Sequence, residues 1–188
     1  RNLARRVSAE LARWGLDIDD SAGRPLGHTP PGALLRLVGE VALGGFEPVA
    51  TAALFAHPLA RFGRSAEEAR RLGRIVELIA LRGPAPAPGG LGLLAAFDEA
   101  AEAIDAAPWR TAAARARPGA EDRAAARAML VDLLALVAPL EAMTGLRERP
   151  LADWVATHVA AARAIARDET GADTALFEGE EGEALARA

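Results

Sequence analysis

Apolar residues recur with the period of an α-helix along almost the whole chain, and this periodicity restricts the fold more than any other feature. Leu34, Leu37, Val38 and Val41 fall at i, i+3, i+4 and i+7, a spacing that puts four side chains on one helical face. Leu72, Ile75, Val76 and Ile79 repeat the pattern behind Ser65-Ala66-Glu67-Glu68, a capping box in which hydroxyl and carboxylate satisfy the first free backbone N–H groups. Leu94, Phe97, Ala101 and Ile104 predict a helix over 91–106 limited by Pro108. Leu130, Leu133, Leu134 and Val137 predict another over 120–138, separated by Pro139 from a short turn of helix ending at Gly145. Pro150 suits the first position of a helix running to about Arg167, with Leu151, Trp154, Val155, Val159 and Ile165 inward. Against these stands one apolar-polar alternation, Leu16 to Asp19. A lone strand is not stable, so its sheet partners are expected outside this segment, and within the chain it is expected to be unpaired, frayed, or paired with another copy across an interface.

The breaks between these runs are chemically explicit. Leu3, Val7 and Leu11 give a surface helix over 2–14 that Gly15 stops. Thr29 followed by Pro30 and Pro31 starts the next helix, and Pro48 opens a short one that closes near His57, because a residue before proline leaves the α region. Residues 82–90 read Arg-Gly-Pro-Ala-Pro-Ala-Pro-Gly-Gly, a semi-rigid connector. From Asp168 to Glu183 there are seven acids and no base, and the closing Glu and Gly segment is expected to fray. The expected fold class is mainly α, a helical bundle with one short orphan strand near the N-terminus. A quarter of the 188 residues are alanine, and aromatics are 4% with no tyrosine, a composition that suits helices and starves sheets.

Function classes are narrowed by what is missing. All 22 basic residues are arginine, so a Walker-type phosphate loop, which needs a lysine, is absent. Without cysteine there is no thiolate nucleophile, thiolate metal site or disulfide, which fits a cytoplasmic setting. No run reaches the roughly 18 apolar residues of a membrane span. The net charge of -4 makes wholesale capture by nucleic acid an unsuitable mode, leaving local contacts. Asp17, Asp19 and Asp20 could surround a hard cation, but read more simply as a polar strand face and turn. His28, His57 and His158 lack metal-ligand spacing. Gly90-Leu91-Gly92 follows a proline connector rather than a strand, so it reads as a helix start instead of a dinucleotide loop. Ser21 and Ser65 lack a nucleophile-elbow context. The chain begins at Arg1 without an initiator methionine, and with its orphan strand it reads as a segment of something longer.

Arginines cluster in three places: Arg1, Arg5, Arg6 and Arg13; Arg61, Arg64, Arg70, Arg71 and Arg74; and Arg110, Arg115, Arg117, Arg123 and Arg127. Each group could touch a phosphate backbone or could be a solvated face in an arginine-only composition. The second group supplies the DNA-binding candidates Arg64, Arg70, Arg71 and Arg74. No catalytic or metal residue is assigned, and the chain by itself is expected neither to hydrolyse ATP nor to degrade DNA.

A set of motifs gives a sharper expectation. Arg1-Asn2-Leu3-Ala4-Arg5-Arg6-Val7, Trp14-Gly15, Asp19-Asp20-Ser21-Ala22-Gly23-Arg24-Pro25-Leu26 and Thr29-Pro30-Pro31-Gly32 together resemble the AddB subunits of AddAB-type helicase-nucleases of double-strand break repair, in their alphaproteobacterial form. His57-Pro58-Leu59, Arg82-Gly83-Pro84 with Pro86, Pro88 and Gly89, and Glu178 to Ala184 extend the resemblance over nearly the whole chain. It implies an internal part of the helicase-like region. Residues 1–23 would be a helix and strand at the edge of a RecA-like 2A domain, and 24–188 a helical domain like the 2B insertion of superfamily 1 helicases. Arg1 would match the helicase motif IV arginine that reaches the nucleotide's terminal phosphate. The resemblance also implies an AddA-type partner subunit and DNA, with no membrane. ATP, Mg2+ and an iron-sulfur cluster would belong to the parent protein and no cofactor to this segment. The competing expectation is a helical protein-interaction module with no DNA role, for which the net acidity and the lack of tyrosine platforms speak.

Overall fold

The first four helices begin or end where the sequence supplies caps. The computed structural model describes residues 2–16, 25–110, 112–145 and 148–187. In α1 (Asn2–Arg13) the chain leaves the helix through Gly15 at φ 72, and the Leu16 N–H returns to the Leu11 carbonyl at 3.0 Å, a Schellman closure. Thr29 Oγ1 accepts the Gly32 N–H at 3.3 Å and opens α2 (Pro30–Leu43). The Glu47 carboxylate accepts the Val49 and Ala50 N–H groups at 2.9 and 3.0 Å and opens α3 (Pro48–Ala56). Ser65 Oγ accepts the Glu68 N–H at 3.2 Å at the start of α4 (Ala66–Val76). Then come α5 (Gly90–Ala106), α6 (Ala113–Ala116), α7 (Ala120–Met143), α8 (Leu151–Ala166) and α9 (Gly179–Arg187).

The chain is mainly helical, with no strand among the described residues. Of the expected strand, residues 17–19 lie outside the described residues, and Leu16 belongs to the helix closure just given. α7 is the central rod and packs against α2, α4, α5 and α8. Leu34, Val38 and Val41 of α2, Leu72 and Val76 of α4, Leu93 and Phe97 of α5, Met129, Leu130, Leu133 and Val137 of α7, and Ile165 of α8 are all buried in one continuous core. Each such side chain removed from water contributes about 1.5–3 kcal/mol. The connector is non-helical from Arg82 to Gly89, and the Gly89 N–H donates to the Gly45 carbonyl at 2.8 Å, tying it to the α2–α3 turn.

Four expectations are corrected. Pro139 does not end α7, which runs through it to Met143: the ring is exposed, so the Ala135 carbonyl it leaves without an N–H faces solvent, while buried Leu140 and Met143 hold the last turns. The Leu72-to-Ile79 stripe is not one α-helix. After Val76 a π-helical turn spans Glu77–Leu81, closed by Arg82 N–H to the Glu77 carbonyl at 3.0 Å, and the Arg115 guanidinium donates to the Ile79 carbonyl. On α8, Leu151 and Val155 are exposed and the buried face is Ala161, Ala162, Ile165 and Ala166. Alanines let α8 lie close to its neighbours, and His158 Nε2 reaches the Leu35 carbonyl of α2 at 2.7 Å. The C-terminal Glu and Gly segment is helical rather than frayed: α9 packs on α2 and on the 3-10 turn Leu26–His28, with Gly182 buried against the Phe177 backbone.

Candidate functional site

α3 and α4 cross at Gly73, where a Cβ would stand 2.8 Å from the Phe55 Cβ and 3.1 Å from its carbonyl oxygen. Only glycine permits that approach, and it leaves a groove of about 460 Å³ beside the crossing. Ala52, Phe55 and Ala56 of α3 form its floor. Glu67, Arg70, Arg71 and Arg74 of α4, with Glu77 of the π-helical turn, form its wall, at spacings that place them along one side of the helix.

Three of the four DNA-binding candidates therefore stand together around one groove. Arg71 is bound by Asp122 of α7, and Arg74 Nη1 reaches Glu77 Oε2 at 3.4 Å. Glu77 also receives Arg82 at 2.7 Å. Arg70 is exposed and has no carboxylate partner among the described residues. The fourth candidate, Arg64, is turned inward: its side chain is 17% exposed and donates to the Phe62 carbonyl at 2.6 Å and to Asp132 of α7 at 2.7 Å. Arg64 thus fastens the α3–α4 loop to α7. The same loop, with Phe62 and Gly63 at positive φ, sends the Arg61 and Phe62 N–H groups to the Ile165 carbonyl and caps the end of α8.

The third arginine group is divided between structure and solvent. Arg123 is buried, donating to the Pro118 carbonyl at 2.7 Å and to Asp105, and Arg127 forms a two-pronged pair with Asp98 at 2.7 and 2.8 Å. Arg110 and Arg117 are exposed. The nucleotide candidate Arg1, the aspartates Asp17, Asp19 and Asp20, and Ser21 lie outside the described residues. Among the described residues no group of three His, Asp or Glu side chains could hold a metal ion, and no helix is long and apolar enough to cross a membrane.

The titratable groups report packing. His57, half-buried at the end of α3, is held below the usual histidine range by burial; its bond to the Pro30 carbonyl opposes this, and Arg36 adds to it. Asp168 and Asp173 sit below the usual carboxylate range, the first through the Thr170 hydroxyl and the second through Arg163. Burial raises Glu141. None of these groups lines the groove.

Sequence reasoning singled out the groove's arginines and missed its floor and its acids. The i, i+4 pair Ala52 and Ala56 and the glycine at 73 were the available signal for a close helix crossing. The partners Asp122 and Asp132 lie 51 and 68 residues from their arginines and carry no local signal. No family model, curated protein or solved structure matches the chain.

Proposed function

We propose that the chain is a non-catalytic helical segment of an AddB-type subunit of an ATP-dependent helicase-nuclease, acting in DNA double-strand break repair and recombination and making DNA and partner-subunit contacts. The motif resemblance gives the family and its 2B-like helical domain, and the mainly helical build agrees with that domain. The observation that carries a DNA contact is the gathering of Arg70, Arg71 and Arg74 around one groove on α4. The acids of α9 belong to a helix that packs on α2 and the first 3-10 turn. In the cell such a protein would work in the cytoplasm.

The test is a titration of labelled single-stranded and duplex oligonucleotides from low to physiological salt. Expected are weak binding near the 10⁻⁴–10⁻⁶ M of non-specific association and, for duplex, a log-log salt slope of about -3 for three phosphate contacts. Joint replacement of Arg70, Arg71 and Arg74 by glutamate should remove most of it, with no ATP hydrolysis or DNA degradation at any salt. No association at low salt, or association indifferent to salt, would sink the DNA contact.

A second reading, a helical protein-interaction module without a DNA role, is favoured by the internal pairing of Arg64, Arg71 and Arg74 with the chain's own carboxylates. A phosphate must displace those acids, and intact pairing reduces the local positive field.

A further inference from the structure

We infer that the α3–α4 groove is a docking site for an acidic amphipathic helix of a partner protein. The floor argues for an apolar anchor: the side chains of Ala52 and Ala56 and the edge of Phe55 offer apolar contact and no hydrogen-bonding group. A nucleic-acid backbone has no projecting apolar side chain to seat there. A base finds no platform either, because Phe55 is only 3% exposed and its ring packs against Phe62, with centroids 5.6 Å apart.

The wall argues for carboxylates in a limited register. From Glu67 to Glu77 it runs about 15 Å, some three helical turns, in the order acid, Arg70 and Arg71, Arg74, acid. A strand with a charge on every nucleotide would meet Glu67 and Glu77 at both ends, whereas a helix can place its acids in the middle. Arg70 is unpaired among the described residues. The Arg71 and Arg74 side chains are 50% and 60% exposed, and exposed pairs contribute little, so an incoming anion, carboxylate or phosphate alike, exchanges into them at small cost. The choice between the two rests on the floor and on the acids at both ends of the wall. The occupant is therefore a short helix with one or two large apolar residues on the alanine floor and two or three acids facing Arg70, Arg71 and Arg74, the helix-in-groove mode of recognition. Partner contact belongs to both functional readings above, so the inference does not depend on the DNA contact.

The experiment is selection from a display library of random peptides about sixteen residues long, roughly four helical turns, against the full chain. Enriched sequences are expected to carry acids together with Leu, Met or Phe at i, i+3 or i, i+4 spacing. The strongest peptide should bind at least about tenfold more weakly, about 1.4 kcal/mol, to Arg70→Glu and, separately, to Ala56→Glu. Both positions are exposed, and circular dichroism should confirm that both variants fold. No enrichment, enrichment without an acidic bias, or affinity unmoved by either substitution overturns the inference. Displacement of the peptide by an oligonucleotide whose own binding falls with Arg70→Glu would assign the groove to DNA, sinking this inference and leaving the repair reading intact. Peptide binding in a chain that fails the DNA titration would sink the DNA contact and leave this inference intact. Self-association in sedimentation that Ala56→Glu abolishes would make the occupant a second copy of this chain, which also overturns it.

Discussion

Arg123 illustrates what an arginine can do in a chain where every base is arginine. Its guanidinium sits under α7 with the buried Pro118 carbonyl on one side and the Asp105 carboxylate on the other. The Arg123 side chain is only 9% exposed but Asp105 is 65% exposed, so the acid is well hydrated, and an asparagine in its place keeps an oxygen that can accept the guanidinium N–H. Asp105→Asn should therefore cost no more than about 1 kcal/mol. Arg123→Met keeps the stem's packing but leaves a buried carbonyl without a donor, a loss of about 1–3 kcal/mol. Denaturant unfolding of both variants checks the order, and equal losses would contradict it. His57 gives the pH dependence. Its Nδ1 accepts the Leu59 N–H at 3.2 Å, a role open only to the neutral ring, and burial lowers its pKa. The unfolded histidine titrates near about 6.5. Below that pH the unfolded chain takes up a proton that the folded chain refuses, so stability is fully present above it and falls as pH drops toward the depressed folded value. Glu141, raised by burial, has the opposite sign, because its contribution declines as pH rises above the ordinary carboxylate range. Asp168 and Asp173, both depressed, lose theirs only as pH falls through their low folded values. The midpoint of thermal unfolding should thus fall on acidification from neutral pH, and His57→Gln should flatten that fall. A variant with the same profile would rule out His57 as the source. None of this residue-scale detail was legible beforehand: His57 was visible as a histidine before proline, but its acceptor role depends on the turn geometry, and the burial of Arg123 depends on Asp105 and Pro118 coming together around it.

At the scale of elements, apolar period and caps were legible because both act within a few residues. Thr29, Ser65, Pro48 and Gly15 each mark the boundary they occupy in the structure. Where local rules met tertiary packing, packing prevailed. Proline inside a helix costs about 3 kcal/mol relative to alanine, enough to predict a break at Pro139, yet burying Leu140 and Met143 beyond it recovers a comparable amount. Pro139→Ala should therefore restore the bond to the Ala135 carbonyl and stabilise the chain by about 1–3 kcal/mol. That is a rise in Tm of about 2–4 °C per kcal/mol for a chain of this size, and an unchanged or lower Tm would show that the helix depends on its proline. The π-helical turn after Val76 was illegible for a different reason. It inserts one residue into the helical register, and a carbonyl so displaced is tolerable only when a donor such as Arg115, 36 residues away, comes to meet it. The exposed Leu151 and Val155 show the same limit, since apolar spacing allows two faces on α8 and close approach through Ala161 and Ala162 selects one.

For the molecule as a whole, helix packing gives the arginine groove and the last helix different supports. The α3–α4 groove is built on α7, while α9 is fastened to α2 by small contacts around Phe177 and Leu185. The sequence showed the arginines of α4 and the acids of α9 but not which helices each element packs on. Gly182 tests how α9 is held. A Cβ there would lie 2.2 Å from the Phe177 carbonyl carbon and 2.6 Å from its oxygen. Both are backbone atoms that cannot rotate aside. Alanine would favour the isolated helix by up to about 1 kcal/mol, so a free α9 would gain from Gly182→Ala, whereas a docked one must shift, at the roughly 1–3 kcal/mol that overpacking costs. The expected outcome is a Tm lowered by several degrees, at about 2–4 °C per kcal/mol. Peptide and oligonucleotide binding at the α4 face should be unchanged, because α9 bears on α2 and the first 3-10 turn. A raised Tm would mean that α9 is not held against Phe177. Weakened binding at α4 in a folded variant would mean that α9 and the arginine groove are coupled through α2.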